Sequence, residues 1–371
     1  MGAISKRDAP EFALALQPAN GFVKEAIAAR RIKAELAKKQ GTFPDSISPP
    51  LKMLAESAFR SEPMTPQAIA VMALAATGPA RRELMKMAFD LSRRETLVTG
   101  WMIVDSATRE DVSSLLDYYD TMLRTNSESG EIIIPAMIQA LAKTDSIAPF
   151  RTKLSPSPPW SDRFWTKAAE NAEALDNAVV LREALYSKTE QSNIYRDAAL
   201  IYALINNNKF EKAKKLFELF SKPAGDGNII QNGNFKRIPQ YPPMDWQLFS
   251  TGEYGATIDK SRLNLSIIPS SSGLFARQLI ELPRETVGLE IKGSWTGSQD
   301  DLLVFDLYCS EDILDKPRKI TIPFEAGTMR RTIDNTNNSC DYFWLEIRGR
   351  TGQTGNGFDA SIDSISIKPR G

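Results

Sequence analysis

The sequence predicts a multidomain α and β chain, with an N-terminal α-solenoid over residues 7–222 and a C-terminal antiparallel β-sandwich over residues 228–369. Three observations predict it. A chain of 371 residues exceeds what one ordinary core serves, and 42% hydrophobic with 25% charged residues is a globular composition. From Thr65 onward amphipathic helices come in pairs that start about thirty residues apart, the period of a helical solenoid. At Pro223-Ala-Gly-Asp-Gly the texture changes, and β-branched runs then alternate with turns about every 8 to 12 residues.

The helical part reads in order. A short apolar stretch ends in Pro18-Ala-Asn-Gly, a break signal. Val23, Ile27, Ile32 and Leu36 follow at helical spacing, with Gly41 as a stop. Pro44 to Pro50 is a linker, and another helix begins at Leu51. Thr65-Pro66 caps a helix whose stripe is Ile69, Met72, Ala73 and Ala76, ended by Gly78-Pro79, and Leu84, Met87, Ala88 and Leu91 mark its mate. The next pair carries Leu97, Trp101, Val104 and Ala107, a turn at 108–110, then Val112, Leu115, Tyr119 and Met122. Helices at 132–141 and from Ser161 continue the series, with Pro156 to Pro159 between them. Trp101, Trp160 and Trp165 are expected to be packing residues. The last pair sets Ile194, Ala198, Ile201 and Ile205 against Phe210, Ala213, Leu216, Phe217 and Phe220, turning at Asn206-Asn-Asn. With small residues where its helices meet and aromatics closing it, this unit resembles a tetratricopeptide repeat. The resemblance spans roughly residues 65–222 and implies a groove that holds a protein partner.

In the second part strands are expected near 229–235, 244–249, 254–258, 262–268, 274–282, 286–295, 302–309, 318–323, 328–333, 341–348 and 360–368. Asn232, Gly233, Phe235 and Trp246, after the apolar pair Ile229-Ile230, resemble the opening of the galactose-binding-like jelly rolls that include many carbohydrate-binding modules. The segment 360–369 resembles their closing strand. The resemblance implies a jelly roll and a sugar as ligand. It also implies a structural calcium between an acid just after Phe235 and an Asp in the last strand. Asp363 fits the second place, but position 236 is Lys, an unfavourable neighbour for a cation that wants several oxygens.

Composition restricts the chemistry. Lys+Arg and Asp+Glu stand at 46 each, so the chain offers no basic field for nucleic acid. It contains no histidine, which removes Ser-His-Asp and Cys-His catalysis and the usual zinc and iron sites. No G-x-x-x-x-G-K loop occurs, and Gly349, Gly352, Gly355 and Gly357 read as a turn-rich loop. No catalytic residue is therefore assigned. No run approaches the roughly 18 apolar residues that span a bilayer. Met1-Gly2 fails the myristoylation pattern because position 6 is Lys, and Met1–Ser5 reads either as a native start or as a remnant ahead of a mature exported chain. Cys309 and Cys340 are too few for a thiolate cluster, and form either a disulfide or two lone core thiols.

Strand parity supplies the candidate site. Over 342–348, Phe343, Leu345 and Ile347 share one face, and Tyr342, Trp344, Glu346 and Arg348 the other. Over 302–309, Leu303, Phe305 and Leu307 point inward, and Asp306 and Tyr308 outward. Flat aromatics beside hydrogen-bonding groups suit a sugar ring; the competing reading packs Tyr342 and Trp344 against the helical part. By the same parity Cys340 faces outward if its strand is regular that far back. The expectation is a non-catalytic scaffold with a protein partner in the helical groove and carbohydrate on the β module. The combination resembles bacterial exported or periplasmic proteins tied to cell-surface polysaccharide, with a cytoplasmic chain as the alternative. A pure protein-interaction scaffold, its jelly roll docking or dimerising, is the second reading. A carbohydrate-active enzyme is the third, since no two acidic residues of the β part are singled out by the sequence.

Overall fold

The computed structural model describes residues 9–39, 42–143, 146–186, 193–221, 227–310, 319–336, 340–352 and 356–369. These comprise thirteen α-helices followed by ten strands in two antiparallel sheets. Gly41, Met1–Ser5, Gly355 and most of the 223–228 hinge lie outside them. The chain divides into two compact units, 1–167 and 168–371, so the division falls within the helical series; the last helix ends at Phe220 and the first strand begins at Gln247.

In the first unit, α1 (Pro10–Leu16), α2 (Gly21–Lys38), α3 (Pro49–Ser61), α4 (Pro66–Ala75), α5 (Gly78–Leu91), α6 (Thr96–Thr108) and α7 (Val112–Thr125) pack in succession. α8 (Gly130–Leu141), α9 (Ile147–Leu154) and α10 (Ser161–Ala169) complete the series, α10 spanning the division. Side-chain oxygens start several helices: Asn20 accepts from the Val23 amide and Asp111 from the Ser114 amide. Thr65 does not cap in this way; its hydroxyl donates to the Glu62 carbonyl, and Pro66 sets the first turn. α4 is buried nearly all round because α3 and α5 flank it. Trp101, Trp160 and Trp165 are buried, as expected of packing residues. Helix α9 went unread because Pro149 and Pro156 break its pattern, although a Pro in the first turn of a helix costs little.

The second unit begins with α11 (Leu175–Leu185), α12 (Ile194–Asn206) and α13 (Phe210–Phe220). Asn208 takes a left-handed backbone (φ 55°) between α12 and α13, and the Asn207 side chain donates to the Ala203 carbonyl, so the triple-Asn turn closes the first helix. Arg182 of α11 donates twice to Asp197 of α12 at 2.7 and 3.0 Å, and its guanidinium lies 4.8 Å from the Phe220 ring centre. Both ends of that pair are buried, so each depends on the other.

The strands are β1 (Gln247–Leu248), β2 (Tyr254–Asp259), β3 (Arg262–Ile267), β4 (Ser272–Glu281), β5 (Thr286–Trp295), β6 (Leu302–Cys309), β7 (Lys319–Pro323), β8 (Gly327–Asp334), β9 (Tyr342–Arg350) and β10 (Phe358–Pro369). One sheet runs β1-β4-β9-β6-β7 and the other β2-β3-β10-β5-β8. A single hydrophobic core joins them; Phe275, Phe305, Phe343, Leu345 and Ile347 of the first sheet meet Leu265, Ile291, Ile362 and Ile365 of the second.

The expected strand at 229–235 is not one. Asn228 accepts from the Ile230 and Ile367 amides and donates to the Ile365 carbonyl, so the segment runs beside β10 as turns. Asn232 and Phe235 have left-handed backbones, and a Cβ on Gly233 would run into the Ile365 carbonyl. The Asn-Gly-x-Phe signature is therefore a turn that drops Phe235 onto Trp246 in the core, with ring centres 5.8 Å apart. Cys309 and Cys340 form a disulfide with a Cα separation of 5.9 Å. Parity did not bear on Cys340, because β9 begins two residues later.

Candidate functional site: the outer face of the first sheet

The register places the outward side chains of β1, β4, β9, β6 and β7 in rows. Gln247, Arg277, Glu346, Asp306 and Thr321 stand side by side across all five strands. Leu279, Trp344, Tyr308 and Lys319 form the next row, and Glu281 and Tyr342 the one beyond. On the other side come Leu274, Arg348, Val304 and Pro323, then Ser272, Arg350 and Leu302. All six sequence-predicted residues share this face, with Phe343, Leu345 and Ile347 turned into the core. Their environments differ sharply.

The two ends of the aromatic platform part company. Tyr342 is 2% exposed, with its ring centre 5.3 Å from that of Phe210 on α13. Lys214 of the same helix reaches Glu281 at 2.6 Å, and Phe217 and Phe220 close on Tyr241 with centres 6.0 and 6.1 Å apart. Burial first, then the Glu211 and Glu281 carboxylates, pushes the Tyr342 phenol up, and no hydrogen bond of good geometry satisfies its hydroxyl among the described residues. Trp344 stays half-buried, but the Arg277 guanidinium lies 4.5 Å from its ring centre and occupies a stacking face. As a sugar platform, then, Tyr342 is withdrawn under a helix and Trp344 is already stacked.

Asp306 and Glu346 are register partners and nearly fully buried, at 1% and 2% exposure. Like charges directly opposite repel across strands, so the pair stands only because every oxygen has a donor. Thr321 donates to Asp306 Oδ1 at 2.8 Å and Lys319 to Oδ2 at 2.6 Å. Tyr308 donates to Glu346 Oε1 at 2.8 Å, Arg348 Nη2 lies 2.7 Å from Oε2, and Arg348 Nε lies 3.8 Å from Asp306 Oδ2. Burial, then the bond to Glu346, pushes the Tyr308 phenol up. Arg277, Gln247, Lys319 and Thr321 were missed by the sequence reading because they enter only through the pairings of β4 with β9, of β1 with β4 and of β6 with β7.

The open part of the face lies at the end away from Tyr342. There a cleft of about 680 Å³ runs between Tyr254, Ser272, Leu274, Leu302, Arg348 and Arg350, with Val304 and Asp306 in its floor. Leu274, Leu302 and Val304 give it an apolar strip beside the Asp306 carboxylate and its donors Lys319 and Thr321, and Ser272, Arg348 and Arg350 add hydrogen-bonding groups, a lining suited to a ring with one C–H face and an edge of oxygens. Asp363, the calcium candidate, pairs with Arg262 at 2.8 Å on the other sheet, and among the described residues no three acidic or cysteine side chains cluster as a metal site. No described helix is long and apolar enough to cross a membrane.

No protein-family profile matches this chain, and no curated protein does. Solved structures similar to it include carbohydrate-binding modules, and also chains of a bacteriophage tailspike protein, an α-L-arabinofuranosidase and a sialidase. A family 61 module solved with β-1,4-galactotriose is 13% identical at TM-score 0.27, covering 38% of this chain and 99% of its own. A family 4 module is 15% identical at 0.26, and a family 16 module 16% identical at 0.26, with the same coverages of 38% and 99%.

Proposed function

We propose that this protein is a non-catalytic binding scaffold whose β-sandwich holds carbohydrate in the cleft on the outer face of its first sheet. The observation that carries this reading is the cleft itself: an apolar strip of Leu274, Leu302 and Val304 beside Asp306, with Ser272, Arg348 and Arg350 around it, all carried on strands of one sheet. The commitment of every Asp306 and Glu346 oxygen to a donor supports a binding role over hydrolysis, since a general acid needs a proton free to give. The succession of paired helices supports a protein partner on the first unit, in the manner of a tetratricopeptide-like solenoid. The disulfide supports an exported or periplasmic setting, where such bonds persist.

A second reading is favoured by α13. Its aromatics cover one end of the face, so the sandwich already serves as a protein-docking surface within its own unit. Screening the intact protein against immobilised polysaccharides and oligosaccharides separates the two. Retention on saccharides is expected; a protein that retains none would leave the interaction scaffold.

A further inference from the structure

We infer that the cleft takes an anionic saccharide, one carrying a carboxylate or a sulfate ester. This inference rests on the carbohydrate reading of the same face. Its ground is what the face has left to offer once its internal bonds are made. The carboxylates there, Asp306 and Glu346, are buried and have a donor on each oxygen. They also neutralise Arg348 and Lys319, at 2.7 and 2.6 Å. Asp301, next to Leu302, is likewise committed; it accepts from the Ser298 amide and hydroxyl and from the Gly352 amide.

Two further cations remain. Arg350 is exposed at the mouth of the cleft and makes no ion pair among the described residues. Arg277 gives its Nε to Gln247 at 2.7 Å and stacks on Trp344, and it too has no carboxylate partner among the described residues. At the cleft the unspent donors are the guanidinium nitrogens of Arg348 and Arg350 and the remaining protons of Lys319, beside the Ser272 and Tyr254 hydroxyls, with Arg277 on the same face in the row of Glu346. A neutral sugar presents hydroxyls that donate as well as accept, and its donors would find few acceptors here beyond the Ser272 and Tyr254 hydroxyls. A carboxylate or sulfate only accepts, and two guanidinium forks match it in geometry and charge. Leu274, Leu302 and Val304 leave an apolar strip between the cations for the ring.

The test titrates the intact protein with matched pairs of oligosaccharides. Uronic-acid oligomers are compared with their carboxyl-reduced counterparts, and sulfated oligomers with their desulfated ones, so that each pair differs only in the anionic group. The acidic member of at least one pair should bind about tenfold or more tightly, ~1.4 kcal/mol. That preference should shrink between about 50 and 500 mM salt and fall severalfold in Arg350→Gln, whose side chain is exposed and makes no ion pair among the described residues. The pair that shows the preference identifies the anion. Equal or tighter binding of the neutral members would overturn the anionic assignment and leave the carbohydrate site standing. Binding of neither member of any pair would overturn both.

Discussion

Tyr342 and Trp344 lie two residues apart on one face of β9 and meet opposite surroundings. Phe210 covers Tyr342, whereas Trp344 keeps an open edge beneath Arg277. Tyr342→Ala should therefore cost about 3 kcal/mol and Trp344→Ala about half of that, the reverse of their sizes. Chemical denaturation of the two variants checks the order; a larger loss from Trp344 would mean that α13 does not seal Tyr342. Asp245 carries a pH dependence. It is 1% exposed, and burial raises its pKa against the smaller opposing pulls of the Trp246 amide and of Arg237, 4.0 Å away. The folded state then holds this proton at a pH where the unfolded chain has lost it. Its contribution is present in full below the ordinary Asp value and is lost as pH rises through the raised one. Asp245→Asn should flatten the fall of Tm from about pH 4 to 7 relative to wild type, and an unchanged slope would assign that dependence elsewhere.

At the scale of elements, the disulfide ties the end of β6 to the approach of β9 across 31 positions. Replacing both cysteines with Ala should cost about 4 kcal/mol by loop-closure entropy, read as a lowered denaturation midpoint. A change under about 1 kcal/mol would show that the β6–β9 pairing already fixes that loop. Strands and helix pairs were legible because burial imposes period 2 or period 3.6 on the residues themselves, as in 302–309 and 342–348. What was not legible is pairing. Nothing in the local pattern says that Arg277 stands opposite Glu346, or that Thr321 reaches Asp306, because register is a property of two strands together. The covering of Tyr342 is the competing reading of its outward parity, and the sequence does not say that Phe210 is the residue that covers it. The 229–235 segment misled for a different reason. Its apolar Ile229, Ile230 and Phe235 fill the core from a turn, which the alternation template scores as a strand.

At the scale of the molecule, the helix pair most like a repeat belongs to the compact unit that holds the sandwich. Phe210, Phe217 and Phe220 together cover Tyr342 and Tyr241. A fragment spanning 168–371 should therefore melt higher than one spanning 228–371, by about 5 °C or more. Equal melting would make the sandwich self-sufficient and α13 an adherent segment only. The central claim is that the exposed cleft of the first sheet binds carbohydrate, and its rim offers a direct test. Ser272 is exposed there at the start of β4, so Ser272→Trp should fill the cleft and leave the fold in place. The measurement is saccharide affinity of the intact wild-type protein and of this variant, alongside their Tm. Binding by wild type that falls at least tenfold in Ser272→Trp at unchanged Tm is the predicted result. Saccharide affinity that survives the blocked cleft, or is absent from wild type, would contradict it.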